Sequence, residues 1–280
     1  MKKGFISTWL IRILMIFISA LILVPFGMLV LTSSKSNAEF YKGIWYLPQD
    51  LFANITFNYS EAWARGNFGS SFMNSVMVCG VSLVLCLGLS AMVSYAITRR
   101  KLRVSGLITT LFLLGLLIPS MVGLTPQFIM ARFAKLFNTR LILIITYTAS
   151  CMPFSVFVMT AFFKTLPSSL EEAAAIDGAS PWRIFGTIIL PLVKPALVSA
   201  GIFVFLDYWS EYMRGLMFIV DPTKQTIAMG MLAFRMVSGF KIDWGVTCAA
   251  CIIFIAPVLV LYLFFQEQIS GGLTAGSVKG

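Results

Sequence analysis

An all-α membrane protein with six transmembrane helices follows from three features of this sequence. Of its 280 residues, 59% are hydrophobic and 11% charged, with a mean hydropathy of +0.90. A water-soluble domain is nearer half apolar and about a quarter charged, so lipid must solvate most of this surface. Second, six apolar windows are long enough to cross about 30 Å of hydrocarbon, which takes roughly 20 residues. Third, backbone groups in lipid must be satisfied within their own segment, which makes each window a helix.

The windows run over 9–31, 70–97, 106–130, 141–163, 192–213 and 245–266. The first follows Lys2 and Lys3 and precedes "SNA", as a signal peptide would. Its apolar stretch exceeds the roughly 7–15 residues of a signal core, so an uncleaved anchor is expected. The second carries Ser75, Cys79, Ser82, Cys86, Ser90 and Ser94 along one face. Small residues four apart let another helix approach closely, and packing against a neighbour is favoured over pore lining. Pro25, Pro119, Pro126, Pro153 and Pro257 predict local kinks that neighbouring helices tolerate. Six spans put both termini on one side. With the termini cytoplasmic, eleven basic residues fall inside and ten outside, and the dense "RRKLR" at 99–103 favours that orientation.

Composition also excludes chemistry. No histidine is present, which removes histidine-based metal sites and catalytic dyads. Cys79, Cys86, Cys151, Cys248 and Cys251 all lie in apolar runs and read as small packing residues rather than metal ligands. The net charge of +10 is spread over many loops, so it suits anionic lipid headgroups and implies no nucleic acid.

Between the fourth and fifth windows lies a compact charged hairpin over 167–191. Ser168 or Ser169 can cap a short helix with Glu171 or Glu172 three residues later, in a capping box. Acids in the first turn suit the positive end of the helix dipole. Gly178 is placed for a left-handed stop, and Ser180-Pro181 restarts the helix as N-cap and first residue. An isolated helix this short is marginal in water. Its Ala173-Ala174-Ala175 run and acids suit protein docking, because an interfacial lipid helix would set Trp, Leu and Phe against Lys or Arg.

Glu172-Ala173-Ala174, Gly178 and Ile188-x-Leu190-Pro191 match, at every position, the EAA signature of binding-protein-dependent ABC importer permeases. "NFGSSFMNSV" (67–76), "LFNTRLILIITY" (136–147), "FFKTLPSSLEEAAAIDGAS" (162–180), "WSEY" (209–212) and "GLTAGSVKG" (272–280) resemble the carbohydrate branch. The smaller permease subunit of maltose-type systems is the nearest likeness, over nearly the whole chain and least over 32–66. The resemblance implies a type I importer permease in the bacterial cytoplasmic membrane, forming one domain over 1–280 with a cytoplasmic tail over 267–280. It implies that Leu170, Glu171, Glu172, Ala173, Ala174, Asp177, Gly178, Ala179, Ser180, Pro181, Trp182, Arg183 and Phe185 form a cytoplasmic coupling helix and elbow. An ATPase subunit would grip that segment and push through it. Two ATPase subunits, a homologous second permease, an extracytoplasmic solute-binding protein and a sugar substrate are the implied partners. ATP and Mg would be held by the ATPases. This chain has no G-x-x-x-x-G-K-[ST] loop and no cofactor or metal of its own is expected.

The fifth window ends "FLDYWSEYMRG". Asp207, Glu211 and Arg214 are four and three residues apart, on one stripe if the helix continues. Ionisable groups near a membrane face an aqueous cavity or one another. One reading puts them on the substrate path, with Tyr208, Trp209 and Tyr212 stacking on sugar rings. The other is a helix end pinned by an acid–arginine pair within an aromatic belt. Ser210 and the residues near Arg214 depart from the family pattern. Ten basic residues outside fit either an anionic saccharide or an acidic docking face on the binding protein. The outer loop 221–244 resembles the segment that probes the binding protein. An ion-coupled transporter would use Asp207 and Glu211 as a relay, but no halves with matching interrupted spans are visible. A membrane enzyme would need a clustered catalytic set, which the cytoplasmic loops lack.

Overall fold

A computed structural model describes residues 2–100, 103–237 and 242–275, with side chains from residue 8 and excluding those of 233–237 and 267–275. Every element among the described residues is helical. In chain order they begin with α1 (Lys2–Ser33), α2 (Asn37–Lys42), α3 (Leu51–Arg65) and α4 (Phe68–Arg99). Next come α5 (Ser105–Leu117), α6 (Leu124–Phe133), α7 (Arg140–Thr165), α8 (Ser169–Ile176) and α9 (Pro181–Arg183). The series closes with α10 (Leu190–Leu192), α11 (Lys194–Ser210), α12 (Met213–Phe218), α13 (Ile227–Val237) and α14 (Trp244–Ala275).

Four of these helices are apolar and long enough to span a membrane unbroken, over Thr8–Ser33, Phe68–Arg99, Arg140–Thr165 and Trp244–Gln266. The third and fifth expected spans are not continuous helices. Ser105–Leu117 and Ser120–Phe133 meet at 99°, and Pro181–Leu192 meets Lys194–Ser210 at 72°. The kink expected at Pro119 is thus a full break: Ile118 before it is extended, the conformation a following proline enforces. Pro191 and Pro195 lack the N–H groups that would continue the helical ladder, and a π-helical stretch over Ile184–Ile189 precedes them. Two sharply bent helix pairs thus stand where the sequence predicts continuous spans. The tail expected from residue 267 continues α14 to Ala275, and 276–280 lie outside the described residues.

The chain divides into two compact units, Met1–Gly69 with Gly230–Pro257 and Ser70–Met229 with Val258–Gly280. In the first, the Glu39 carboxylate is buried and accepts from the Ser36 and Gln49 backbone N–H groups at 2.9 and 2.8 Å and from Asn54 Nδ2 at 2.8 Å. Those bonds, from Gln49 foremost, hold its pKa below the ordinary carboxylate range. Lys35 is fully buried, with Nζ donating to the Ile44 carbonyl at 2.5 Å, and burial pushes its pKa down. In the second unit, the stripe on α4 is buried throughout: Ser75 Oγ accepts from Ile227 N–H at 2.8 Å, and Ser82, Cys86 and Ser94 face α7. Ser94 Oγ donates to Val156 O at 3.1 Å, and Cys86 Sγ lies 3.4 Å from Ser155 Oγ. Close helix packing is what the small residues accomplish.

Candidate functional site

Two groups of residues stand at opposite ends of α11, which at 17 residues is about 25 Å long. At its start is the charged hairpin. α8 ends at Ile176, Asp177 caps it, and Gly178 takes φ +78°. Ala179 N–H bonds Ala174 O at 3.0 Å and Gly178 N–H bonds Ala175 O at 3.1 Å, the paired pattern of a left-handed helix stop. Ser180 then caps the next helix, its Oγ accepting from Arg183 N–H at 3.4 Å, with Pro181 first inside.

The expected capping box at the start of α8 does not form. Ser168 is helical in its backbone angles and its side chain makes no cap bond. Glu171 is drawn away instead: its carboxylate pairs with Arg99 Nε at 3.2 Å and accepts from Tyr95 OH at 3.3 Å. Arg99 also donates through Nη2 to the carbonyls of Phe163 and Leu166, at 2.7 and 2.5 Å, at the end of α7. One guanidinium thus ties α4, α7 and the hairpin together. The contact to Glu171 is an ion pair, while the guanidinium's charge-assisted hydrogen bonds go to the two carbonyls.

The hairpin's inner face joins a core. Ala174, Ile184, Phe185 and Ile189 pack with Ala91, Tyr95, Met159, Phe163, Val193, Ala196 and Ala200, and Ala179 packs against them. The Phe185 and Tyr95 rings are 5.1 Å apart. The alanine run is therefore split, with Ala174 buried while Ala173 and Ala175 are exposed. The outer face carries Leu170, Glu172, Asp177, Pro181 and Arg183, all exposed, with Ile176 86% exposed and Trp182 73% exposed. Arg99, Tyr95 and Phe163 were not found by sequence reasoning. The "RRKLR" run signalled position, but a pairing across 72 residues has no local signature.

At the other end, α11 stops at Ser210 and Glu211 is extended. Asp207, Glu211 and Arg214 therefore do not share one helical stripe. Tyr147 OH donates to the Glu211 carbonyl at 3.3 Å, and a Glu211 carboxylate oxygen accepts from Arg214 N–H at 2.9 Å at the start of α12. The carboxylate suits the positive end of that short helix. The acid–arginine pair is made, at 4.0 Å between Arg214 Nη1 and Glu211 Oε1.

Tyr208 and Trp209 are each 2% exposed and point into packing. Tyr208 stacks on Tyr147 at 5.2 Å and donates to Tyr147 O at 2.7 Å, while Trp209 stacks on Phe205 at 5.5 Å and meets Phe72 edge-on. Asp207, Glu211, Tyr212 and Arg214 instead line a cavity of about 510 Å³. Its remaining walls come from Ser120 and Met121 at the α5–α6 break, Ser150, Cys151 and Phe154 on α7, and Phe203, Val204, Ser210 and Met213. Cys151 Sγ donates to an Asp207 carboxylate oxygen at 3.3 Å. Helix breaks thus supply two sides of a polar cavity, the arrangement in which irregular backbone is tolerated at membrane depth.

Residues 85–274 match the family of binding-protein-dependent transport system inner membrane components. The diacetylchitobiose uptake system permease protein NgcG of Streptomyces coelicolor is 34% identical, over 95% of this chain and 87% of that protein. The melibiose/raffinose/stachyose import permease protein MelC of Bacillus subtilis is 32% identical, over 92% of this chain and 91% of its own. Among solved structures, a bacterial ABC transporter involved in the import of the acidic polysaccharide alginate superposes with a TM-score of 0.83 at 20% identity, covering 95% of this chain and 98% of that one. That likeness establishes a shared fold. This chain belongs to the binding-protein-dependent transport system inner membrane component family, as a multi-pass inner membrane permease subunit of ABC importers.

Proposed function

We propose that this chain is one of two transmembrane subunits of an ATP-driven importer of oligosaccharides or related glycosides, with the 170–185 hairpin as the surface an ATPase subunit grips. The observation that carries the mechanical role is the asymmetry of the hairpin. Ile176 and Trp182 stand exposed on one side, while Phe185 and Ala174 are fixed in a core on the other. A load applied to the outer face passes into α4, α7 and α11 rather than bending the hairpin alone. The partners would be a homologous permease, two ATPases holding ATP and Mg, and an extracytoplasmic binding protein. Both termini would be cytoplasmic, on the hairpin's side of the membrane.

The carbohydrate assignment is supported by relatives named for diacetylchitobiose and for melibiose, raffinose and stachyose. The cavity at the end of α11 is the place we assign to the solute in transit, through Asp207, Glu211, Tyr212 and Arg214. Tyr208 and Trp209 support that cavity from behind. Two carboxylates against one guanidinium leave it no surplus positive charge for an anionic solute.

Cysteines placed at Ile176 and Trp182 test the docking face. Crosslinking in membranes should capture a nucleotide-hydrolysing subunit from both positions. Capture of no such subunit, or labelling of these cysteines from outside the cell, would refute the assignment.

A further inference from the structure

Arg214 is 5% exposed, and its Nε is buried without a hydrogen-bond partner among the described residues. Its nearest carboxylate oxygen, Glu211 Oε1, stands 4.0 Å from Nη1 and is already taken by the Arg214 backbone N–H at 2.9 Å. Glu211 Oε2 is also buried and without a partner. Both residues line one cavity, and each keeps a buried polar atom, a donor on Arg214 and an acceptor on Glu211, without a partner just behind its wall. Buried polar groups are paired as a rule, and leaving one unpaired is costly, so such a couple calls for a visiting partner.

The chemistry of that partner is constrained. A hydroxyl both donates and accepts, so neighbouring hydroxyls can accept from Arg214 and donate to Glu211 Oε2 at once. A carboxylate can accept from Arg214 but cannot donate to Glu211, and it adds a negative charge beside Asp207 and Glu211. An ammonium donates to Glu211 but leaves Arg214 unpaired and faces a like charge. We propose that the cavity recognises an uncharged vicinal diol of a saccharide, with Arg214 and Glu211 as the pair that reads it. This inference rests on the carbohydrate-import reading above and narrows it to neutral sugars.

The test uses the complete importer, purified from its host membranes and reconstituted in proteoliposomes with its binding protein. Labelled trehalose, raffinose and diacetylchitobiose serve as neutral probes and an alginate pentasaccharide as the uronate probe. Rates are normalised to binding-protein occupancy measured separately, so that the first selection step cancels. At least one neutral probe should enter about tenfold faster than the uronate. Glu211→Gln and Arg214→Lys should each raise its KM by roughly tenfold, because one side of the pair is lost. Ser120 is exposed at the cavity wall, and Ser120→Trp should fill the space and block uptake in a complex still recovered whole by size exclusion. An unchanged KM in Glu211→Gln, undiminished uptake in Ser120→Trp, or a uronate moved as fast as the neutral probes would each overturn the diol assignment while carbohydrate import stood. Failure to move any of the four probes would overturn the carbohydrate reading and this inference with it.

Discussion

The two ends of α11 are built on opposite terms. At its start, the hairpin is specified by residues next to one another: Ser180 caps, Pro181 begins, Gly178 turns. At its finish, nothing in "DYWSEYMRG" signals a stop, and the helix nevertheless ends at Ser210. The stop comes from outside the segment, because Tyr147 on α7 takes the Glu211 carbonyl. Local chemistry makes a rigid piece that presents a surface. Long-range contacts make the cavity.

The largest effect expected along this contrast is from Gly178→Val. No atom lies within 4 Å of an added Cβ, so the penalty is purely conformational. A non-glycine residue in the left-handed region loses about 1–2 kcal/mol, and a β-branched one more. The variant should insert normally but lose at least about tenfold in uptake, with Gly178→Asn much milder, since Asn tolerates that region. Membrane fractionation beside an uptake assay separates the two effects, and wild-type uptake by the valine variant would show that the elbow is not needed.

Arg99→Ala comes next, since this guanidinium ties the locally built hairpin to distant residues on two other helices. It leaves the Phe163 and Leu166 carbonyls and the Glu171 carboxylate without their partner. Breaking a buried pair costs about 3–5 kcal/mol, and these side chains, 13% and 19% exposed, fall somewhat below that. Solute moved per ATP hydrolysed should drop at least about threefold in the assembled complex. Equal loss of both rates would point to poor assembly instead.

At the other end, Tyr208→Phe removes the bond to Tyr147 O and nothing that faces the cavity. It should lower stability by about 1 kcal/mol. A thermal shift with an unchanged KM for the transported solute supports the structural role. A raised KM would return Tyr208 to the solute path.

The smallest effect compares two copies of one signature, Ser-x-x-Glu. Ser36–Glu39 forms the box with both bonds present, whereas Ser168–Glu171 does not. Glu39 has a depressed folded pKa, so its contribution is complete above the unfolded value of 4.5 and is lost as pH falls through the lower folded value. Hydrogen exchange over 36–54 should quicken on that acid side in the wild type and lose this dependence in Glu39→Gln.

Much of this protein was legible in its residues. Four apolar windows became unbroken helices within a few residues of where hydropathy put them, because lipid-facing segments must close their own hydrogen bonds. Gly178 and Ser180-Pro181 did what their backbone preferences dictate. The small stripe from Ser75 to Ser94 packed as its size allows. These are properties of single residues and their near neighbours, and a chain carries them wherever it folds.

What the sequence could not decide depended on partners far along the chain. Glu171 leaves its serine because Arg99 and Tyr95 offer a charged, half-buried alternative that a surface cap cannot match. Tyr208 and Trp209 turn inward, and Arg214 and Glu211 each keep one buried polar atom unpaired beside the cavity, because α7 and the α5–α6 break stand where they do. Whether a polar side chain is spent on packing or kept free for a solute is settled by what surrounds it, and those surroundings exist only once the helices have met.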